Sequence, residues 1–264
     1  MKLSVGISTV MENLEQVKEE INQLVHLRKP KELQVEILVV VQDGKGRYPI
    51  FSAFKEWIDD LDLPTGFTIR SFYDSLRGLS RSRNRLLREF TGDWLHICDD
   101  DVVFYENYFD SLYKVLRFIQ KKDEDIMFVT FKIGVGSSCS DKRKYWDKPR
   151  WHTIWSVFHV SSVEILLNFK VKTTGVKFDE RFGLGAKWNS GEENIFLLDL
   201  LKRGYKGVFV SLNLACVINV DRTKYMTFMS IFSKYKVFVR MYDEVVGTVV
   251  FGVFLMKALL KVVL

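Results

Sequence analysis

The chain has 264 residues, 47% of them apolar, 27% charged and 14% aromatic, with a formal net charge of +6. That composition excludes a disordered or fibrous protein, and the length suits one α/β domain of roughly 200–250 residues followed by a tail. Three cysteines, Cys98, Cys139 and Cys216, form no CxxC pair and leave one over, which argues against a disulfide framework or a zinc ribbon and for a reducing, cytosolic setting. The start, MKLSVGIST, lacks the long apolar region and small-residue cleavage site of a secretory signal. The positive balance favours an anionic partner: nucleic acid, anionic lipid or a phosphorylated small molecule.

In chain order, Leu3 to Thr9 reads as a strand. Met11 to Leu27 places Leu14, Val17, Ile21, Leu24 and Val25 at helical spacing. Val35 to Val41 is a near-continuous apolar run, as a strand covered on both faces requires. Phe51 to Leu61 reads as a helix, Phe67 to Ser71 as a strand, and Ser80 to Phe90 as a helix capped by Ser80. Trp94 to Cys98 is another buried strand, Tyr108 to Gln120 an amphipathic helix behind Asn107 as its cap, and Ile126 to Ile133 a further strand. The order predicts a mostly parallel sheet with helices on both faces, and directs attention to residues just beyond the carboxyl ends of the strands. After Gly134 the pattern is irregular.

Those strand ends carry carboxylates. Strand two ends in Gln42-Asp43-Gly44, and the Trp94 strand runs into Asp99-Asp100-Asp101. Three adjacent carboxylates repel one another, and a hard divalent cation, Mg²⁺ or Mn²⁺, relieves them. In an extended segment Asp99 and Asp101 face one way and Asp100 the other. The plain alternative is a solvated acidic turn. A second group, GLSRSRN over residues 78–84, sets arginines at a helix start where a diphosphate binds well, although a solvated basic face has the same composition. A third, NSGEEN over residues 189–194, opens a buried helix with Glu192 and Glu193. Either they complement the helix dipole or one serves as a general base. The four histidines show no ligand spacing and are read as structural. No GxSxG, GxxxxGK[ST] or GxGxxG motif supports a nucleophile elbow, a P-loop or a Rossmann site.

Taken in order, SVGIST, ILVVVQDG, GLSRSRNRLLREFTGDWLHICDDDV and KFDERFGLGAKWNSGEENIFLLDLLKRGY resemble the family 2 glycosyltransferases of GT-A fold over about residues 2–210. The resemblance implies an inverting hexosyltransferase of surface polysaccharide assembly that takes a nucleotide-sugar donor, first among them a UDP-sugar, with Mn²⁺ or Mg²⁺. It implies that Thr9 and Asp43 meet the nucleotide base, that Arg83 and Asn84 help hold the nucleotide, and that the DxD pair Asp99 and Asp101 meets ribose and metal-diphosphate, with Asp100 beside them. Glu192 and Glu193 match the family's Glu-Asp pair, with Glu193 as the base. Glutamate replaces the usual aspartate there, and the histidine found further on in many members is missing from ACVINVDRT. Asn219 or Asp221 substitutes for it, or Asp101 and the diphosphate hold the metal alone. Trp146, Trp151, Trp155 and Trp188 are candidate sugar platforms or core residues.

Residues 1–222 are thus expected to form the GT-A catalytic domain and residues 223–264 a helical tail. The tail carries six basic and two acidic residues from Lys224 onward and ends in VVGTVVFGVFLMKALLKVVL. Lys257 and Lys261 disfavour a transmembrane span, so a helix lying on an anionic membrane face is expected. Its alternatives are packing on the domain or a homo-oligomer interface. The expected acceptor is a glycan or lipid-linked hydroxyl, and the expected place the cytoplasmic, inner face of the membrane. Nucleic acid is not expected as a partner. The competing functional class is a catalytically inactive, GT-A-like nucleotide-binding or scaffold protein.

Overall fold

The computed structural model describes residues 1–122, 126–218 and 228–263. The chain runs β1 (Lys2–Val10), α1 (Leu14–His26), β2 (Gln34–Gln42), α2 (Tyr48–Asp59), β3 (Phe67–Asp74), α3 (Leu79–Glu89), β4 (Trp94–Cys98), β5 (Val102–Phe104) and α4 (Tyr108–Lys122). It continues through β6 (Ile126–Val135), the short β7 (Ser140–Asp141) and β8 (Arg150–Trp151), β9 (Ile165–Asn168), α5 (Glu192–Lys202), β10 (Lys206–Val217), α6 (Phe228–Tyr242) and α7 (Glu244–Val263).

The sheet order is β3-β2-β1-β4-β9-β6-β10-β5. The pairs β1–β2, β1–β4, β2–β3 and β6–β10 are parallel, so the strands expected from the first half of the sequence form a parallel half-sheet. Alternate residues of β2 explain the layers. Val35, Ile37, Val39 and Val41 enter one core with α1, α2 and α4, while Leu38 and Val40 enter a second with α3, α5 and α6. The result is the expected α/β fold, a mostly parallel sheet with helices on both faces.

The irregular second half has a structural reason. β9, four residues long, inserts antiparallel between β4 and β6, and β5 pairs antiparallel with β10. Ser80 does not cap α3. Gly78 holds that position at φ 147°, and the Ser80 hydroxyl donates to the Phe182 carbonyl at 2.6 Å.

The cysteine expectation is corrected. Cys139 and Cys216 are disulfide-bonded, with Cα atoms 5.4 Å apart, and Cys98 is buried and free. Parallel pairing of β6 with β10 sets Gly134 opposite Cys216, and the turn after β6 carries Cys139 back over it. A contact made across 77 residues of sequence leaves no local spacing signal.

The two tail helices differ in what they bury. α6 contributes Val237 and Met241 to the second core, and Arg240 pairs with Asp179 and Asp199. Gly191 has φ +84°, and a Cβ there would stand 2.6 Å from Val237, so only glycine fits where α6 crosses the start of α5. α7 rests on α6 and leaves Val245, Val249 and Met256 largely exposed. No helix among the described residues is long and apolar enough to cross a membrane.

Candidate active site

The carboxyl ends of β1, β2 and β4 meet the N-termini of α3 and α5, and a buried arginine joins them. Arg83, 1% exposed, donates to Glu192 Oε1 at 2.6 Å and to Asp99 Oδ1 at 3.0 Å. Asp99 and Glu192, 93 positions apart in the sequence, are thereby fixed to one side chain. Asp99 Oδ2 accepts from Ser162 Oγ at 2.8 Å. Burial raises the Glu192 carboxyl, as does the neighbouring Glu193, while Arg83 opposes the rise. Glu192 is buried at the start of α5, and Glu193 beside it is partly open to solvent.

The three aspartates divide, although Asp100 and Asp101 lie in a turn rather than the extended segment expected. Asp100 turns to the first loop, where Thr9 Oγ1 donates to it at 2.6 Å and Asn13 Nδ2 at 3.1 Å. Asp101 is uncommitted: among the described residues no other side chain donates to it. Burial and the charges of Asp99 and Asp100 push its carboxyl up to about 7. Lys142, from the turn region after β6, is the cation that opposes this rise.

Four expected nucleotide contacts, Asp43, Arg83, Asn84 and Thr9, are engaged with other residues of the chain. Asp43 is fully buried, and its carboxylate accepts from the Lys45 and Arg47 amides, the Arg47 guanidinium and the Tyr73 hydroxyl. Burial alone would raise it, yet these donors hold it down at about 2. Arg83 is closed off between carboxylates. Asn84 donates to the Phe178 carbonyl and Glu180 Oε1 and accepts from the Phe178 amide, so it tethers the segment leading to the 183–190 loop. Thr9 is 2% exposed and engaged with Asp100.

Asn13, Lys142 and Ser162 are the site residues that the sequence did not reveal, because each reaches the strand ends from an irregular segment. Two of the four histidines are held in buried hydrogen bonds: His96 bonds the Tyr108 hydroxyl and Val163 carbonyl, and His152 bonds Thr130 and Ser156. Burial lowers both rings to about 4, with Arg143 assisting at His152.

The donor set suits a hard divalent ion bound with its substrate rather than a closed protein cage. Asp101 offers a free carboxylate, Asp99 shares its oxygens with Arg83 and Ser162, and no group of three or more His, Cys, Asp or Glu is arranged to hold a metal among the described residues. Asn219 and Asp221, the substitutes considered for the missing histidine, lie outside the described residues.

Comparisons with known proteins bear on the fold and the family. No curated protein matches the sequence. The fold is similar to S. aureus TarS 1-349, solved with UDP-GlcNAc, at a TM-score of 0.62 and 16% identity over 91% of this chain and 66% of that one. In another crystal structure of TarS 1-349 the chain spans 65% of that protein's length. A mannosyltransferase, PcManGT from Pyrobaculum calidifontis, solved with GDP-Man and Mn2+, is similar at a TM-score of 0.54 and 13% identity over 92% of this chain and 63% of that one. The sequence itself matches the family described as Glycosyl transferase family 2 over residues 4–166, more than half of its length, and the chain therefore belongs to that family.

Proposed function

We propose that this chain is an inverting glycosyltransferase that moves a sugar from a nucleoside-diphosphate donor, a UDP-sugar, to a hydroxyl of a glycan or lipid-linked acceptor. The observation that carries the reading is Arg83, which ties the DxD carboxylate Asp99 to Glu192 and leaves Asp101 without a side-chain donor among the described residues.

In this reading Asp101, with Asp99 beside it, holds Mn²⁺ or Mg²⁺ together with the donor diphosphate. That ion, when bound, supplies positive charge against the charge that develops on the departing diphosphate. Glu193 stands at the mouth and takes the acceptor proton as the hydroxyl oxygen bonds to the anomeric carbon and the bond to the diphosphate breaks. Glu192 is bonded to Arg83 and so fixes the start of α5. Thr9 and Asn13 orient Asp100 and with it the turn that presents Asp101.

Replacement of Glu193 by Gln tests the assignment. Donor binding measured by calorimetry is expected to stay within about 2-fold, while transfer falls roughly 10²–10⁴-fold. Full transfer by that variant would contradict it.

A peripheral membrane contact through α7 belongs to the proposal. The helix exposes Val245 at 76%, Val249 at 64% and Met256 at 65%. The cytoplasmic face of a membrane suits a lipid-linked acceptor, whereas the Cys139–Cys216 bond favours an oxidising compartment. Alkylation of freshly lysed cells followed by mass spectrometry separates the two: three alkylated cysteines indicate the first setting, one the second.

A further inference from the structure

Several cations around the second core are neutralised. Arg83, Arg143, Arg181 and Arg240 each pair directly with a carboxylate: Glu192 and Asp99, Glu164, Asp179, and Asp179 with Asp199. Lys187 and Lys236 pair with none among the described residues. The Lys236 ammonium stands 6.0 Å from the Trp188 ring centre, 5.3 Å from that of Phe232 and 5.3 Å from that of Tyr235, and Lys187 stands 5.2 Å from Trp188 on the loop before α5. Ring faces attract an ammonium only weakly and accept none of its hydrogen bonds in the ordinary sense. Two unneutralised ammonium groups on one aromatic patch suit an anion.

The patch adjoins Glu192 and the start of α5. Trp188 bonds back to Gly183 through its carbonyl at 2.7 Å. A Cβ on Gly183 would lie 3.1 Å from the Glu192 carboxyl carbon, so this loop lies against the catalytic carboxylates. From the other side, Val237, next to Lys236 on α6, packs against Gly191, the residue before Glu192. The carboxylates nearest along α6 are Asp243 and Glu244, about 10 Å further down the helix axis from Lys236. Glu192 is bonded to Arg83, which leaves Glu193 as the negative group the ligand must avoid.

We propose that Trp188, Lys187 and Lys236 form an acceptor subsite for a glycan that carries an anionic group, a phosphate or a carboxylate. The inference rests on the transferase reading above. Trp188 offers an apolar face to a sugar ring, and the two lysines neutralise the anionic substituent.

The test is calorimetric binding of glucose 6-phosphate, glucuronate and methyl glucoside to the full chain in the presence of UDP and Mn²⁺. The two anionic probes are expected to bind at least about 10-fold more tightly than methyl glucoside, and about 0.5 M NaCl to erase the difference. Their order shows whether phosphate or carboxylate is preferred. In the double variant K187Q/K236Q, shown to be folded by thermal unfolding, the gap is expected to close to about 2-fold. Equal binding of all three probes by the wild type, or an unchanged gap in the double variant, would overturn the subsite. If UDP binds in a metal-dependent way but no gap appears, the subsite alone fails. If UDP does not bind and the gap persists, the subsite stands and the donor assignment fails.

Discussion

Asp101 and Arg83 are the residues on which the site turns, and their energetics run in opposite directions. The Asp101 carboxyl stands at about 7 in the folded chain against 3.8 for an ordinary aspartate. The unfolded chain therefore loses this proton first, and the metal-free protein loses stability as pH rises from about 4 to about 7. Replacement by asparagine is expected to stabilise the metal-free protein at pH 8 by about 1 kcal/mol, about 2–4 °C in Tm, while abolishing turnover. A lower Tm together with retained turnover would show that the carboxylate is structural. Arg83 is the reverse case. Arg83→Met leaves Asp99 and Glu192 without their cation and is expected to cost about 3–5 kcal/mol in denaturant unfolding. A loss below about 1 kcal/mol would mean that solvent already screens the pair. Glu20, 4% exposed with neither oxygen hydrogen-bonded, is raised by burial and by Asp100, Asp101 and Asp99. Glu20→Gln removes a charge that this site disfavours and is expected to be tolerated, read as an unchanged Tm.

At the scale of elements, α5 and α6 act as one unit. Gly191→Ala forces a Cβ into Val237 from a left-handed backbone, and is expected to cost a few kcal/mol and to lower transfer more than donor binding, because Glu192 and Glu193 follow it directly. Equal losses in both would point to general unfolding. The legibility of the sequence divides along the same lines. β1, β2, β4, α1 and α3 were readable because continuous apolar runs and 3.6-residue spacing report burial on two faces or one. β9 and β10 were not, because β9 has four residues and β10 changes register against β6 between Phe209 and Ala215. The acidic turn and the Glu192–Glu193 pair were visible as residue types at element ends. Their connection through Arg83 was not, since the same arginine reads equally well as a solvated helix face. Asp43 was expected to face the base, but Arg47, four residues on, takes its carboxylate.

For the whole molecule, Arg83 links the end of β4 to the start of α5 and Val237 of α6 packs against Gly191, while α7 lies outside the core. A chain ending at Asp243 is expected to keep donor binding and to lose sedimentation with vesicles containing anionic lipid. If it still sediments, the basic segment before α7 is the adhesive part. The disulfide ties the turn after β6 to β10 near the acidic turn, where the Ile218 amide bonds the Asp101 carbonyl at 3.2 Å. The central claim is that the strand-end carboxylates bind a metal-linked nucleoside diphosphate. Calorimetry of UDP against the wild type and Asp101→Asn, each with Mn²⁺ and with chelator, tests it most directly. The wild type with Mn²⁺ is expected to bind at least about 10-fold more tightly than the other three combinations. Equal UDP affinity in all four would contradict the account.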